Sequence, residues 1–176
     1  MGEFDQLVNL MTERRRIHRI GRLFIEPFGS PPTALDPATA LVVHTEMTQT
    51  IATVTLVVAE YDAAINFYRD QLGFALLADI EMGGGKRWVV VGPENGGGAR
   101  LLLARADSTR QHDAVGNQTG GRVMGFLETD DFAGDHAGML ARGVKFLEAP
   151  RHEAYGWVAV FEDLYGNKWD LIEPKG

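Results

Sequence analysis

The 176-residue chain contains no cysteine. That absence excludes disulfide bonds, thiolate metal sites and a cysteine nucleophile together, and it accords with the reducing cytoplasm in which we expect the protein to act. No apolar run approaches the ~20 residues that a membrane span needs. The N-terminus also lacks an uninterrupted apolar stretch followed by a small-residue cleavage site, so neither a membrane nor a secretory route is expected. Positive charge is scarce: 17 Lys and Arg stand against 24 Asp and Glu, for a formal charge of −7. A phosphate backbone demands a positive surface, which excludes nucleic acid as a partner. The one basic run, Arg14 to Arg16, borders Glu13 and reads as a solvated helix face.

What is present suits one soluble domain, or a small domain with an appendage: 45% of residues are hydrophobic and 23% charged. Residues 1–46 differ in character from the rest. Phe4, Leu7, Val8, Leu10 and Met11 fall at helical spacing, and Pro27, Pro31, Pro32 and Pro37 then exclude a helix or central strand. This segment reads as a leader or loosely docked arm. A start at Met47, with an over-long gene upstream, is the alternative.

The domain is expected over 47–176. Ile51–Val58, rich in β-branched residues, reads as a strand. Asp62–Leu72 carries a helical stripe of Ala64, Ile65, Phe67, Tyr68 and Leu72, stopped by Gly73. Strands follow at Phe74–Ile80, Arg87–Val91 and Arg100–Ala104, parted by the glycine turns 83–85 and 96–98. After a polar linker over 107–121 the order recurs. Val123–Glu128 reads as a strand, Phe132–Arg142 as a helix stopped by Gly143, and strands are expected at Val144–Leu147, Trp157–Phe161 and Lys168–Ile172. The halves span 50–106 and 122–174. Glu60 and Asp130, like Gly73 and Gly143, are 70 apart; Trp88 and Trp157, Val91 and Val160, Leu102 and Leu171 are 69 apart. Neither half can bury a sheet face alone. Paired, they form an α+β fold of two tandem βαβββ modules, a curved mixed sheet with helices on one side and a concave ligand cleft on the other.

Two stretches, TVTLVVAEYDAAINFYRDQLGF from Thr53 and YGWVAVFEDLYGNKWDLIEP from Tyr155, resemble the opening and closing signatures of the vicinal oxygen chelate superfamily. That group includes lactoylglutathione lyases, extradiol dioxygenases, fosfomycin-modifying enzymes and bleomycin-binding proteins. The resemblance implies metal ligands on the first and last strands of each half, which here fall on Thr53, Val123, Leu101 and Asp170. Only Asp170 is a suitable donor, while a catalytic site needs about three protein ligands. No metal or other cofactor is therefore predicted, although Asp170 with His152 and Glu153 offers an alternative set.

Without a metal the cleft must work by shape, stacking and hydrogen bonds. Trp88, Trp157 and Trp169 supply flat surface with one donor each; packing against the helices is the alternative. Alternation puts Trp88 and Val90 on one face, Val89 and Val91 on the other, and groups Trp157, Ala159 and Phe161. Arg87 offers an anion contact or a surface ion pair. Asn117 and Gln118 offer polar contacts from the linker, or a turn. Glu153 and Tyr155 are candidates for general base and carbonyl-orienting group, or members of a hairpin loop. Residues 163–167, DLYGN, read as a structural turn. Two functions remain open: a metal-free small-molecule binding protein, dimeric as such proteins often are, or a divalent-metal-dependent lyase, isomerase or dioxygenase.

Overall fold

The computed structural model describes residues 49–94 and 97–176. Of the two units of the chain, the second, Thr50–Gly176, holds the elements that follow. The leader's helical stripe, its prolines, the alternative start at Met47, His18, His44 and Gly96 lie outside the described residues.

The second unit contains two mixed sheets. The first comprises β1 (Thr53–Val58), β2 (Ala75–Gly83), β3 (Lys86–Gly92) and β4 (Arg100–Arg105), in the order β1-β4-β3-β2. The second comprises β5 (Val123–Glu128), β6 (Lys145–Phe146), β7 (Arg151–Glu153), β8 (Gly156–Glu162) and β9 (Lys168–Pro174), in the order β5-β9-β8-β6, with β7 also on β8. In each sheet the first strand lies parallel to the last and the remaining pairs are antiparallel. This is an α+β fold of two similar βαβββ arrangements forming curved, open sheets.

Three short helices connect the strands. The first, α1 (Tyr61–Asn66), continues as a wider π turn over Phe67–Gln71, whose inner face buries Phe67 and Tyr68. Gly73, at φ +82°, lets the chain leave this turn, and the Phe74 amide donates back to the Tyr68 carbonyl at 2.8 Å. Gly143, at φ +88°, serves the same end after α3 (Phe132–Ala141). Asp131 caps the start of α3, its carboxylate accepting from the Gly134 amide at 3.0 Å. The linker is not featureless. It contains α2 (Thr109–Ala114), where Ser108 accepts from the Gln111 amide and Gln111 accepts in return from the Asp107 amide at 2.7 Å.

One core joins the two sheets. Leu56, Val58, Val89, Val91 and Leu103 from the first meet Ala159, Phe161, Trp169 and Leu171 from the second, with Tyr68, Phe74, Phe132 and Met139 between them. The DLYGN turn fastens this junction. Asp163, 5% exposed, accepts from the Tyr68 hydroxyl at 2.8 Å, from the Asn167 side-chain amide at 2.8 Å, and from the backbone amides of Tyr165 and Asn167 at 2.9 Å each. Burial, and then the neighbouring Asp163 carboxylate, push the Tyr68 hydroxyl well above the usual tyrosine range. The Tyr165 hydroxyl reaches the Glu60 backbone on the far side. This turn is therefore a clamp between distant segments as well as a reversal.

Candidate functional site

Strand alternation together with register fixes which side chains face outward. In the first sheet Leu56, Val89, Val91 and Leu103 point into the core. Thr55, Leu102 and Val90, aligned across β1, β4 and β3, share the opposite, open face, and Trp88 lies two residues along from Val90. In the second sheet Ala159, Phe161, Trp169 and Leu171 are core residues, while Phe126, Asp170 and Val160 align on the open face.

This register corrects the 69-residue repeat. Val89 and Ala159 are structural counterparts, because each pairs with the buried leucine of its last strand, Leu103 or Leu171. Their separation is 70 on these strands and 68 for the leucines, so the match of Trp88 with Trp157 sets side by side two tryptophans on opposite faces. Trp157 stands on the helix side, its ring 6.1 Å from that of Phe132. A one-residue slip exchanges faces, and residue identity alone concealed it.

The same register shows where the metal positions point. Asp170 lies beside Phe126, and its counterpart in the first sheet is Leu102, beside Thr55 and on the face of Thr53; Leu101 turns to the core side with Val54. One hydroxyl and one carboxylate do not make a metal-ligand set. His152 pairs across from Trp157 and packs edge-on against its ring at 4.9 Å, on the face opposite Asp170, so the alternative set of His152, Glu153 and Asp170 does not converge. Among the described residues no three His, Asp or Glu side chains are placed to hold a metal ion.

A cleft of about 760 Å³ opens between the β1 edge of one sheet and the β5 edge of the other. Its walls include Val54, Thr55 and Leu56 of β1, Phe74, Leu101 of β4, Met124 to Glu128 of β5, Trp169 of β9, and Gln118 and Thr119 of the linker. Trp169 lies across Gly125, where a Cβ would fall 2.5 Å from the indole ring. It is 6% exposed, and its indole nitrogen has no hydrogen-bond partner. Phe126 is 66% exposed although it sits in mid-strand.

The residues singled out in the sequence separate into three places. Trp169 and Gln118 line this cleft. The Gln118 side chain is engaged at both ends there, accepting from the Val57 amide at 2.9 Å and donating to the Val57 carbonyl at 3.2 Å, so that it stands in for a neighbouring strand on the β1 edge. Asn117 is an exposed turn residue next to it. Arg87 lies elsewhere, its Nη1 donating to Asp62 at 2.6 Å and its Nε and Nη2 to the two carboxylate oxygens of Asp79, with its guanidinium 5.2 Å from the Tyr61 ring centre. Those hydrogen bonds hold Asp79 below the usual carboxylate range and raise Arg87. Trp88 follows on the open face of the first sheet. Glu153, Tyr155 and Trp157 belong to the β7–β8 hairpin; Glu153 is 3.4 Å from Arg151, and Tyr155 and Trp157 are half exposed. No hydrogen bond joins Glu153, Tyr155 and Asp170.

Asp170 retains an unusual environment. Its Oδ1 is buried without a partner, and burial raises its pKa above the usual aspartate value, with Arg151 opposing and Glu148 reinforcing that shift. The sequence reading passed over Thr55, Phe74, Met124, Phe126 and Glu128 as lining residues. The alternation of Phe126 and Glu128 with Leu127 marks an outward face, while Met124, beside a bulge, packs against the core; which strand edge borders a cleft depends on the packing of both sheets.

The family model described as the Glyoxalase/Bleomycin resistance protein/Dioxygenase superfamily matches residues 50–171. An uncharacterized protein of Shewanella frigidimarina is 52% identical over 128 residues, covering 72% of this chain and 95% of its own. Among solved structures, UcmS2 superposes with a TM-score of 0.63 at 27% identity, covering 72% of this chain and 98% of its own. TnmS3, an antibiotic binding protein from Streptomyces sp. CB03234, superposes with a TM-score of 0.58 at 28% identity, covering 75% of this chain and all of its own.

Proposed function

We propose that this chain, which belongs to the glyoxalase/bleomycin resistance protein/dioxygenase superfamily, binds a small organic molecule in the cleft between β1 and β5 without the metal of the superfamily's catalysts. The observation that carries this reading is the cleft itself: large enough for a drug-sized ligand, walled mainly by Val54, Leu56, Phe74, Leu101, Phe126 and Trp169, and provided with few polar groups. The positions that the resemblance gives for metal ligands hold Thr53, Val123, Leu101 and Asp170, one hydroxyl and one carboxylate between them. The likeness to an antibiotic binding protein supports a sequestering role over a catalytic one.

The same reading makes the protein a cytoplasmic homodimer. Ile51 and Val54, at the start of β1, are 75% and 49% exposed, apolar surface that a second copy would cover. The lack of cysteine supports a reducing compartment. Among the described residues no helix is long and apolar enough to cross a membrane.

The second reading, a divalent-metal-dependent lyase, isomerase or dioxygenase, draws on the partnerless Oδ1 of Asp170. Metal analysis of protein purified without chelators separates the two. The binding reading expects no stoichiometric divalent ion and a ligand-dependent rise in Tm in a screen of quinones, glutathione adducts and antibiotics. A stoichiometric ion that disappears in Asp170→Ala would overturn it. Light scattering tests the dimer, and a monomer at micromolar concentration overturns that part.

A further inference from the structure

The charge distribution around the cleft narrows the class of ligand. Of the described residues lining it, Glu128 alone carries a charge. Its carboxylate forms no ion pair among the described residues. The cations of the same sheet are placed away from it or are already occupied. Lys168 aligns with Val123 at the opposite end of β5, about 16 Å from Glu128 at the rise of a strand. Arg122 precedes Val123 at that same far end. Arg151 is held by Glu148 at 3.1 Å and Glu153 at 3.4 Å. Asp170, the register partner of Phe126, adds a second carboxylate next to the same wall, also without a cation in contact.

The rest of the lining is flat and neutral. Phe126 stands out from mid-strand, and Trp169 presents an indole whose nitrogen is unpartnered although the residue is 94% buried, since it is 6% exposed. Phe74, Pro93 and the glycines Gly92, Gly97 and Gly98 leave room for a broad, thin object. An unpaired carboxylate at the edge of an apolar, aromatic cleft gains most from a ligand that supplies the missing cation, while the aromatic side chains add quadrupole attraction for the same sign of charge.

Building on the small-molecule reading, we infer that the cleft selects a flat ring system bearing a protonated amine, with the ring against Phe126 and the ammonium group at Glu128, two residues along the same face of β5. Anionic ligands, including carboxylates and glutathione adducts, are disfavoured at the same position by Glu128 and Asp170.

Three tricyclic probes of nearly equal shape test this with the full chain: 9-aminoacridine, cationic at neutral pH, acridone, neutral, and acridine-9-carboxylate, anionic. Fluorescence titration is expected to rank them in that order, the cation binding about fivefold more tightly than the neutral ring, as a partly exposed ion pair provides. Glu128→Gln should bring the cation down to the affinity of acridone and leave acridone unchanged, and 0.5 M sodium chloride should shrink the preference in the same way, a salt level of roughly 0.5 M reducing the Debye length to a few ångströms. Equal binding of all three, a preference for the carboxylate, or a cation preference that survives Glu128→Gln overturns the inference and leaves the small-molecule reading standing. Binding of none of the three also overturns it. The underlying reading falls only if the broader thermal-shift screen returns no ligand as well.

Discussion

On the face turned away from the core, the first sheet carries Thr55, Val57, Trp88, Val90, Leu102 and Ala104, whereas the second carries Phe126, Glu128, Val158, Val160, Asp170 and Ile172. Strand order is the same in both, so the backbone does not account for the contrast. At these positions the first surface is neutral, its polar groups a hydroxyl and an indole nitrogen, and its cations, Lys86 and Arg100, stand at the strand ends. The second holds two carboxylates in apolar surroundings. The loops differ in the same sense. The turn after β8 is fastened by Asp163 to Tyr68 across the sheet boundary, while Glu94, the acidic residue just after β3, is exposed and takes part in no such network among the described residues. A duplicated fold has thus divided its work: the first half contributes an apolar wall and the helix residue Tyr68, and the second contributes the charge and the clamp.

The largest test of that division is Asp163→Ala. Four donors, among them a buried tyrosine hydroxyl and two backbone amides, would lose one acceptor together. Leaving buried donors unpaired costs about 1–3 kcal/mol each before relaxation, so a total near 4 kcal/mol is expected in urea unfolding. The Glu94→Ala change in the first half should fall within about 0.5 kcal/mol of wild type. Equal effects from the two substitutions would remove the asymmetry between the turns.

A smaller effect is expected at Gly125, which exists to admit the Trp169 ring. Its added methyl would lie 2.5 Å from the indole in Gly125→Ala, so the ring must shift or the strand must give way. Overpacking of this kind costs about 1–3 kcal/mol. Tryptophan emission should change with it, because Trp169 is stacked on Phe161 with centroids 6.2 Å apart and its environment would be remade. Ligand affinity should fall with the displaced wall. Unaltered emission and affinity would show that Trp169 does not form part of the binding surface.

Much of this architecture was legible in the chain. Strand order, both main helices and their glycine stops follow from local pattern, because β-branched runs, a helical stripe and a positive φ are properties of neighbouring residues. The faces were harder to read. Arg87–Val91 is a continuous apolar run after its first residue, with no alternation to show which side is buried, and aligning Trp88 with Trp157 then concealed a one-residue shift. The short strand β7 exists only through its pairing with β8, and α2 announces itself by a capping pair within what otherwise reads as polar linker. Gln118 and Asp163 act on residues 61 and 95 positions away, distances at which sequence pattern carries no signal. The cleft lies between two strand edges, and so it becomes visible only when both sheets are in place.

The smallest expected effect is a pH dependence that the first sheet has no counterpart for, since Leu102 occupies the position of Asp170. Burial raises the Asp170 carboxyl above its ordinary value of 3.8, so the folded protein retains this proton at pH values where the unfolded chain has released it. The folded state then binds more protons than the unfolded one. The stability contributed by protonated Asp170 is full below pH 3.8 and is lost as pH rises through the raised folded value. The groups facing it, Arg151 and Glu148, act in opposite directions, so the sign is set by burial. Asp170→Asn removes this loss. Its Tm should gain on wild type as pH rises from 4 to 7, by a few degrees at most for a domain of this size (about 2–6 °C per kcal/mol). If the difference between the two proteins is independent of pH, or if wild type gains instead, the Asp170 carboxylate is already satisfied in the free protein, and the open face of the second sheet loses the feature that distinguishes it from the first.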